Sequence, residues 1–258
     1  MSSEPRLHSR VDAGIGTLTI DNVDKHNALS FEMWHSMPAL VQALDDDPAV
    51  RVIVLRGGGD KAFAAGSDIS QFGERRNTPE GVALYNTTVD RAVATLGQAS
   101  KPTVAWVQGY CFGGGVALAL HCDLRLAAER AQFSIPAARL GVGYNHLWMQ
   151  RLTWTVGPAK AKEILFTARR YDAAAALQMG LVNQVCDDTQ CQALLDEMAA
   201  LAPLSLMAAK AAIDAAITAG PYDPAAAQKA IQRCFDSRDY VEGRNAFGEK
   251  RPPTFSGA

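Results

Sequence analysis

The groups in this chain best placed to do chemistry are backbone amides in two glycine-rich corners. The first corner is Ala64-Ala65-Gly66-Ser67-Asp68 and the second is Gly113-Gly114-Gly115. Small residues leave N–H groups uncovered, and the first N–H groups of a helix have no intrahelical partner and sit at the positive end of its dipole. An anion or a developing oxyanion suits such a place. Two donors, Ser67 N–H and Gly114 N–H, converging on one oxygen would form an oxyanion hole, where losing one donor typically costs about 2.7 to 4 kcal/mol of transition-state stabilisation. Two plainer readings stand beside this one: Asp68 caps a helix, and the glycine run lets strand and helix pack closely. Tyr144, Asn145 and His146 form a second candidate group. A phenol can orient a ligand oxygen and an imidazole can donate a proton, whereas a half-buried aromatic, a turn residue and a surface histidine are the ordinary alternatives. His121 and Asp123 read as structural.

Several nucleotide and hydrolase motifs are absent. The glycines run G-x-x-x-G-G-G, with no acidic residue at a strand end about twenty positions later, and neither a G-K-[ST] nor a G-x-S-x-G occurs. These absences argue against a dinucleotide site, a P-loop and a serine-hydrolase elbow.

The elements that must hold these corners follow from patterning. Thr103–Val107 is an apolar, β-favouring run after Pro102 and predicts a buried strand, then a glycine turn and a short buried helix over Val116–Leu120. Gly16–Asp21 alternates as a strand, the polar stretch after it ends at Ser30 as a helix cap, and Phe31–Leu44 has helical spacing with a kink or break expected at Pro38. Arg51–Leu55 is the next strand, and the first corner turns into a helix at Ser67 or Asp68. Beyond residue 158, Ala159–Ala168 and Asp172–Met179 predict short helices, Gly180 a stop, and Leu181–Val185 a strand. Gln190–Ala219, alanine-rich and interrupted by Pro203, predicts two helices and an oligomer surface.

The 258 residues, 48% of them hydrophobic, suffice for one large α/β domain or a core with a small appendage. A net charge of −2 with no basic run argues against nucleic-acid partners. Cys111, Cys122, Cys186, Cys191 and Cys234 include no C-x-x-C pair and read as packed, reduced thiols. The N-terminus has no apolar signal core and no apolar run approaches membrane-spanning length, which predicts a soluble cytoplasmic protein without a membrane partner.

The segments DKHNALS, KAFAAGSDI, KPTVAWVQGYCFGGGVALALHCDLRLAAERAQFSIP, GPAKAKEILFTAR and GLVNQV, in this order, resemble the crotonase superfamily of enoyl-CoA hydratases, isomerases and relatives. The resemblance implies an α/β fold, a spiral of ββα repeats over residues 1–200, with a C-terminal helical region, 201–258, that makes a homotrimer or a dimer of trimers. It implies an acyl-CoA substrate whose thioester oxygen is held by the Ser67 and Gly114 amides. Coenzyme A, part of the substrate and not a resident cofactor, would lie along Lys25, Ala28 and Leu29 and along Ala64, Ala65, Asp68 and Ile69. Phe247 and Lys250 match the region that reaches a neighbouring subunit's coenzyme A, Lys250 toward a phosphate. No metal is implied.

Two departures decide the expected reaction. Family hydratases carry glutamates where this chain has Ala117 and Ala137, and alanine supplies neither general acid nor general base. Leu140-Gly-Val-Gly-Tyr-Asn145 and the tail from Ser237 resemble the methylmalonyl-CoA decarboxylases of the superfamily, in which a tyrosine matching Tyr144 is in the active site. Those enzymes have histidine in place of Ser67 and glutamate in place of Ala117. The resemblance implies a lyase that decarboxylates a malonyl-type CoA, with hydration or isomerisation by an atypical acid or base, Tyr144 or His146, and non-catalytic acyl-CoA binding as alternatives.

Overall fold

The structure, a computed structural model, describes residues 6–201, 203–217 and 235–253. Cys234 and the last two residues of the predicted alanine-rich stretch, 218 and 219, lie outside the described residues. The chain divides into two units, Met1–Phe133 with Tyr171–Ala219, and Ser134–Arg170 with Gly220–Ala258.

In the first unit, β1 (Arg6–Asp12) and β2 (Ile15–Asp21) make an antiparallel hairpin. Ala13 and Gly14 turn it at positive φ. The sheet continues with β3 (Val52–Gly57), β5 (Thr103–Val107), β7 (Leu124–Ala127) and β10 (Gln184–Val185), every neighbouring pair from β2 onward being parallel. All five residues of β5 are buried, as an unbroken apolar run requires when both faces of a parallel sheet are covered. A second sheet has the order β4 (Ala62–Ala64), β6 (Tyr110–Phe112), β8 (Gln132–Ser134), β9 (Tyr171–Asp172). Chain order alternates between the sheets: β3 then β4, β5 then β6, β7 then β8, each pair followed by helix. That is the expected ββα repeat.

Helix α1 (Phe31–Asp46) starts at Ser30, whose hydroxyl accepts from Met33 N–H at 3.2 Å. It runs through Pro38 without a break. Proline costs a helix interior about 3 kcal/mol. Burial of Met33, Trp34, Met37, Val41 and Leu44 contributes roughly 1.5 to 3 kcal/mol each and outweighs it. A four-residue α2 (Phe72–Arg75) leads to α3 (Pro79–Gln98), and α4 (Gly114–His121) follows the second corner. α1 packs on α3 and α3 on α4.

α6 (Ala173–Gln178), capped by the Asp172 carboxylate, precedes Gly180 at φ 76°. The strand expected over Leu181–Val185 is only Gln184–Val185. Leu181 and Val182 are buried in the turn, where both N–H groups donate to Ala176 O.

The other face of the six-stranded sheet is covered by α7 (Asp188–Ala200), whose Cys191, Leu195 and Ala199 are buried with Ile15, Val52, Val54 and Trp106. One face of α7 thus packs on the chain's own core. In α8 (Pro203–Ile217) Lys210 pairs with Asp123 at 2.9 Å, while Leu204 and Ile213 are exposed.

Cys186 and Cys191 form a disulfide, which corrects the expectation of reduced thiols there. The turn from β10 into α7 brings their Cα atoms to 5.9 Å, and a four-residue spacing gives no hint of it. Cys111 and Cys122 are buried free thiols. Burial, and then Asp123, pushes Cys122 up to about 12; burial raises Cys111 well above the usual thiol range. Iodoacetamide at pH 8 is expected to leave both unmodified in the native protein and to alkylate both after denaturation, as peptide mass mapping would show.

In the second unit the turn Ala137–Leu140 lies directly against α9 (Arg238–Gly248): a Cβ at Gly243 would strike the Leu140 carbonyl. α5 (His146–Thr167) leaves helical geometry at Gly157, φ 77°, so the expected Ala159–Ala168 helix is its second half.

Candidate active site

The two glycine corners meet because the strands before them are paired. β4 and β6 run parallel, with Ala62 opposite Tyr110 and Ala64 opposite Cys111, so their C-terminal ends release the chain side by side. Ligands of open α/β sheets bind at such ends. Ser67 makes a parallel bridge to Leu29: Leu29 N–H donates to Gly66 O and Asp68 N–H donates to Leu29 O, both at 2.8 Å. Successive N–H groups of an extended chain point oppositely, so Ser67 N–H faces away from Leu29 and toward the second corner. The spacing agrees. A Cβ on Gly66 would lie 3.3 Å from Gly114 N, and one on Gly114 would lie 3.6 Å from Ser67 N. Gly114 is the first residue of α4, so its amide has no helical acceptor. Among the described residues neither amide donates to a protein acceptor.

Each glycine of the triplet has its own reason. Gly113 has φ 50° and ψ −114°, a conformation L side chains rarely adopt, with open space around its Cβ position. Gly114 faces the Trp34 indole, 3.1 Å from the Cβ position. Gly115 packs on Ala64, whose carbonyl a Cβ would strike, so close strand–helix packing explains this one.

The neighbouring candidate residues of the first unit gather here. Lys25 Nζ donates to Asp68 Oδ2 at 2.8 Å and to Ser70 Oγ at 3.2 Å. Asp68 Oδ1 accepts from Ser70 N–H, capping the turn Ile69–Gln71, so the capping reading holds alongside the amide geometry. Burial disfavours the Asp68 carboxylate, but Lys25 and Ser70 outweigh it and hold its pKa below the ordinary aspartate value. Leu29 and Ala64 are fully buried, and Ala65 N–H is taken by His26 O at 3.0 Å. Asn27 ties the segment down by donating to Gly58 O and Ala62 O. Ala117, in the first turn of α4, is fully buried. His121 and Asp123 are structural: Nδ1 of His121 lies 2.8 Å from Ala117 O, and Asp123 accepts from Thr103 N–H and hydroxyl.

Tyr144, Asn145, His146, Phe247 and Lys250 belong to the second unit. The Tyr144 ring stands edge-on to Trp148 at 5.0 Å; Asn145 caps α5 by accepting from Leu147 N–H, and His146 is the helix's first residue. Phe247 is exposed near the end of α9, and Lys250 sits at φ 55° just beyond it.

Residues missed in the sequence surround the corner from α1 and α3. Tyr85 is buried against Phe31 and Phe72, with the Arg76 guanidinium over its ring at 5.1 Å. The spacing Tyr85, Val89, Ala92, Val93, Leu96 behind the Thr78-Pro79 start was the available signal. An open cleft of about 570 Å³ lies on the face of the six-stranded sheet that α7 covers, lined by Arg10, Asp21, Arg56 and Trp106, and takes in neither corner. Among the described residues no helix is long and apolar enough to cross a membrane, and no group of three His, Cys, Asp or Glu side chains is placed to hold a metal.

Two amides without protein acceptors stand side by side at the ends of parallel strands, inside an alternating two-sheet ββα repeat. Residues 10–258 match the family described as enoyl-CoA hydratase/isomerase, and the chain belongs to it. The short-chain-enoyl-CoA hydratase of Clostridium acetobutylicum is 33% identical over 245 residues, covering 92% of each chain. The carnitinyl-CoA dehydratase of Citrobacter koseri is 34% identical over 263 residues, covering 97% of this chain and 98% of its own. Among solved structures, methylmalonyl-CoA decarboxylase in complex with 2-nitronate-propionyl-CoA superposes with a TM-score of 0.85 at 29% identity, over 98% of both chains.

Proposed function

We propose that this enzyme decarboxylates a malonyl-type acyl-CoA through a thioester enolate held by the Ser67 and Gly114 amides. The observation that carries this reading is chemical: the corner presents two amides without protein acceptors, and the buried Ala117 beside them, which by the resemblance to the hydratases matches one of their glutamates, supplies neither acid nor base. The carboxylate nearest in sequence to the amides, Asp68, is engaged by Lys25 and Ser70 and kept ionised. Decarboxylation needs no base. The bond from the α-carbon to the carboxylate breaks, CO₂ leaves, and the electron pair enters the thioester as an enolate whose oxygen the amides stabilise. A proton then returns to the α-carbon. Tyr144 is assigned to orienting the departing carboxylate, on its resemblance to the decarboxylases, and the family's trimeric assembly is expected of this chain.

A second reading, hydration or double-bond isomerisation, is favoured by the names of the relatives at 33 to 34% identity. Purified protein is incubated separately with methylmalonyl-CoA and crotonyl-CoA, following CO₂ release and loss of enoyl absorbance. CO₂ release without hydration is the expected result. Hydration without CO₂ release would establish the second reading instead, and Tyr144→Phe retaining full decarboxylation would remove Tyr144 from the mechanism.

A further inference from the structure

The face of the six-stranded sheet under α7 is covered only in part. The helix helps to bury Val52, Val104 and Leu126, and beyond its Gln192 and Leu195 the same face opens into the cleft of about 570 Å³. Strand register decides which side chains stand there. His8 is opposite Thr19, Thr19 opposite Arg56, and Arg56 opposite Trp106, so these four form one row across four strands on a single face. Adjacent strands lie about 4.8 Å apart, which puts neighbouring members of the row within reach of one small ligand.

The row offers hydrogen-bond donors and contains no carboxylate. Elsewhere in the cleft charges are matched: Arg10 pairs with Asp12, and Asp21 faces Arg6 at 3.6 Å and His8 at 3.7 Å. Arg56 is the exception. Its guanidinium carbon lies 4.9 Å from the centre of the Trp106 ring, and it makes no hydrogen bond or ion pair with a described residue. The hydroxyls of Thr17 and Thr19, beside it on β2, also have no partner among the described residues. Trp106 is only 7% exposed, so stacking on it holds the guanidinium against a firm support while its N–H donors stay unused. Water satisfies an arginine on an open surface. Arg56 is instead half-buried in a concave site of ligand size, where a cation without a counter-ion attracts an anion more strongly. The planar fork of a guanidinium matches two oxygens of a carboxylate or phosphate.

We propose that this cleft is a second binding site, separate from the two amide corners, for a small organic oxyanion. Arg56 grips the charged group, and the Thr17 and Thr19 hydroxyls donate to its oxygens. The site does not depend on the thioester reading of the corners.

Isothermal titration calorimetry with inorganic phosphate and, separately, succinate tests this, with succinamide as the neutral reference and the ionic strength held at about 0.15 M. Wild-type protein is expected to bind at least one of the two anions saturably and to leave succinamide unbound; the tighter anion tells phosphate from carboxylate. Arg56→Gln is expected to weaken that binding about tenfold or more, the scale of a lost charge-assisted hydrogen bond. Thr19→Val, which keeps the shape and removes the hydroxyl, is expected to weaken it about threefold to tenfold and decides the matter if thermal unfolding shows Arg56→Gln misfolded. Gly114→Pro, altered in the other anion-suited corner, is expected to bind as wild type does. Absence of binding by both anions overturns the proposal. So does an affinity unchanged in folded Arg56→Gln, or one lost in Gly114→Pro instead, which would put the anion in the corner.

Discussion

Gly114→Pro is expected to lower kcat by about 10²- to 10³-fold, the effect of removing one oxyanion donor. Gly114 is the first residue of α4, and proline is accepted at the first helical position because the missing N–H makes no intrahelical bond. The substitution deletes the proposed donor while preserving the helix. Gly114→Ala is the control: its Cβ meets the Trp34 ring at 3.1 Å, as the proline's does, but the N–H remains. The difference in kcat between the two variants, measured on whichever thioester the enzyme turns over, isolates the amide. Equal rates would mean that the amide takes no part in the rate-limiting chemistry.

The largest loss of stability is expected from Gly109→Ala. Gly109 turns the chain from β5 into β6 at φ 65°, and a Cβ there would strike the Lys61 carbonyl and lie 3.0 Å from Ala62 N. Tyr110 N–H donates to Lys61 O at 3.1 Å, and Gln132 N–H donates to Gly109 O at 2.9 Å, so neither neighbour can give way without loss of hydrogen bonds. Strain at positive φ adds to overpacking, and the two together are expected to destabilise by about 3 kcal/mol or more. Equilibrium denaturation in urea measures this. Because β4 and β6 aim both corners, whatever folded variant remains is expected to lose activity as well. A variant with wild-type stability would show that the β5–β6 turn is not constrained in this way.

Much of this was readable from residue types. The strand Thr103–Val107, the Ser30 cap and the alternating order of strands and helices follow from local patterning, and the two corners stood out because glycine and alanine runs are poor choices for anything but close backbone approach. What was not readable depends on contacts distant in sequence. Pro38 gives no sign that five buried neighbours hold its helix together. The Cys186–Cys191 disulfide depends on how β10 turns into α7. Tyr85 looks like one more apolar-face residue until α3 is seen beside α1, where its hydroxyl stands near Ser67 and Trp34. The glycine triplet shows the same limit: its sequence offers both a binding and a packing explanation, and the structure divides them, Gly115 serving packing and Gly114 presenting a free amide.

The claim on which the mechanism depends is that the Ser67 and Gly114 amides grip the thioester oxygen. Infrared difference spectroscopy of butyryl-CoA labelled with ¹³C at the thioester carbonyl reads that grip without requiring turnover. The carbonyl stretch is expected at lower frequency in the complex than in water, with the shift reduced by about half in Gly114→Pro and retained in Gly114→Ala. A bound carbonyl that absorbs at its solution frequency in the wild-type protein would contradict the account.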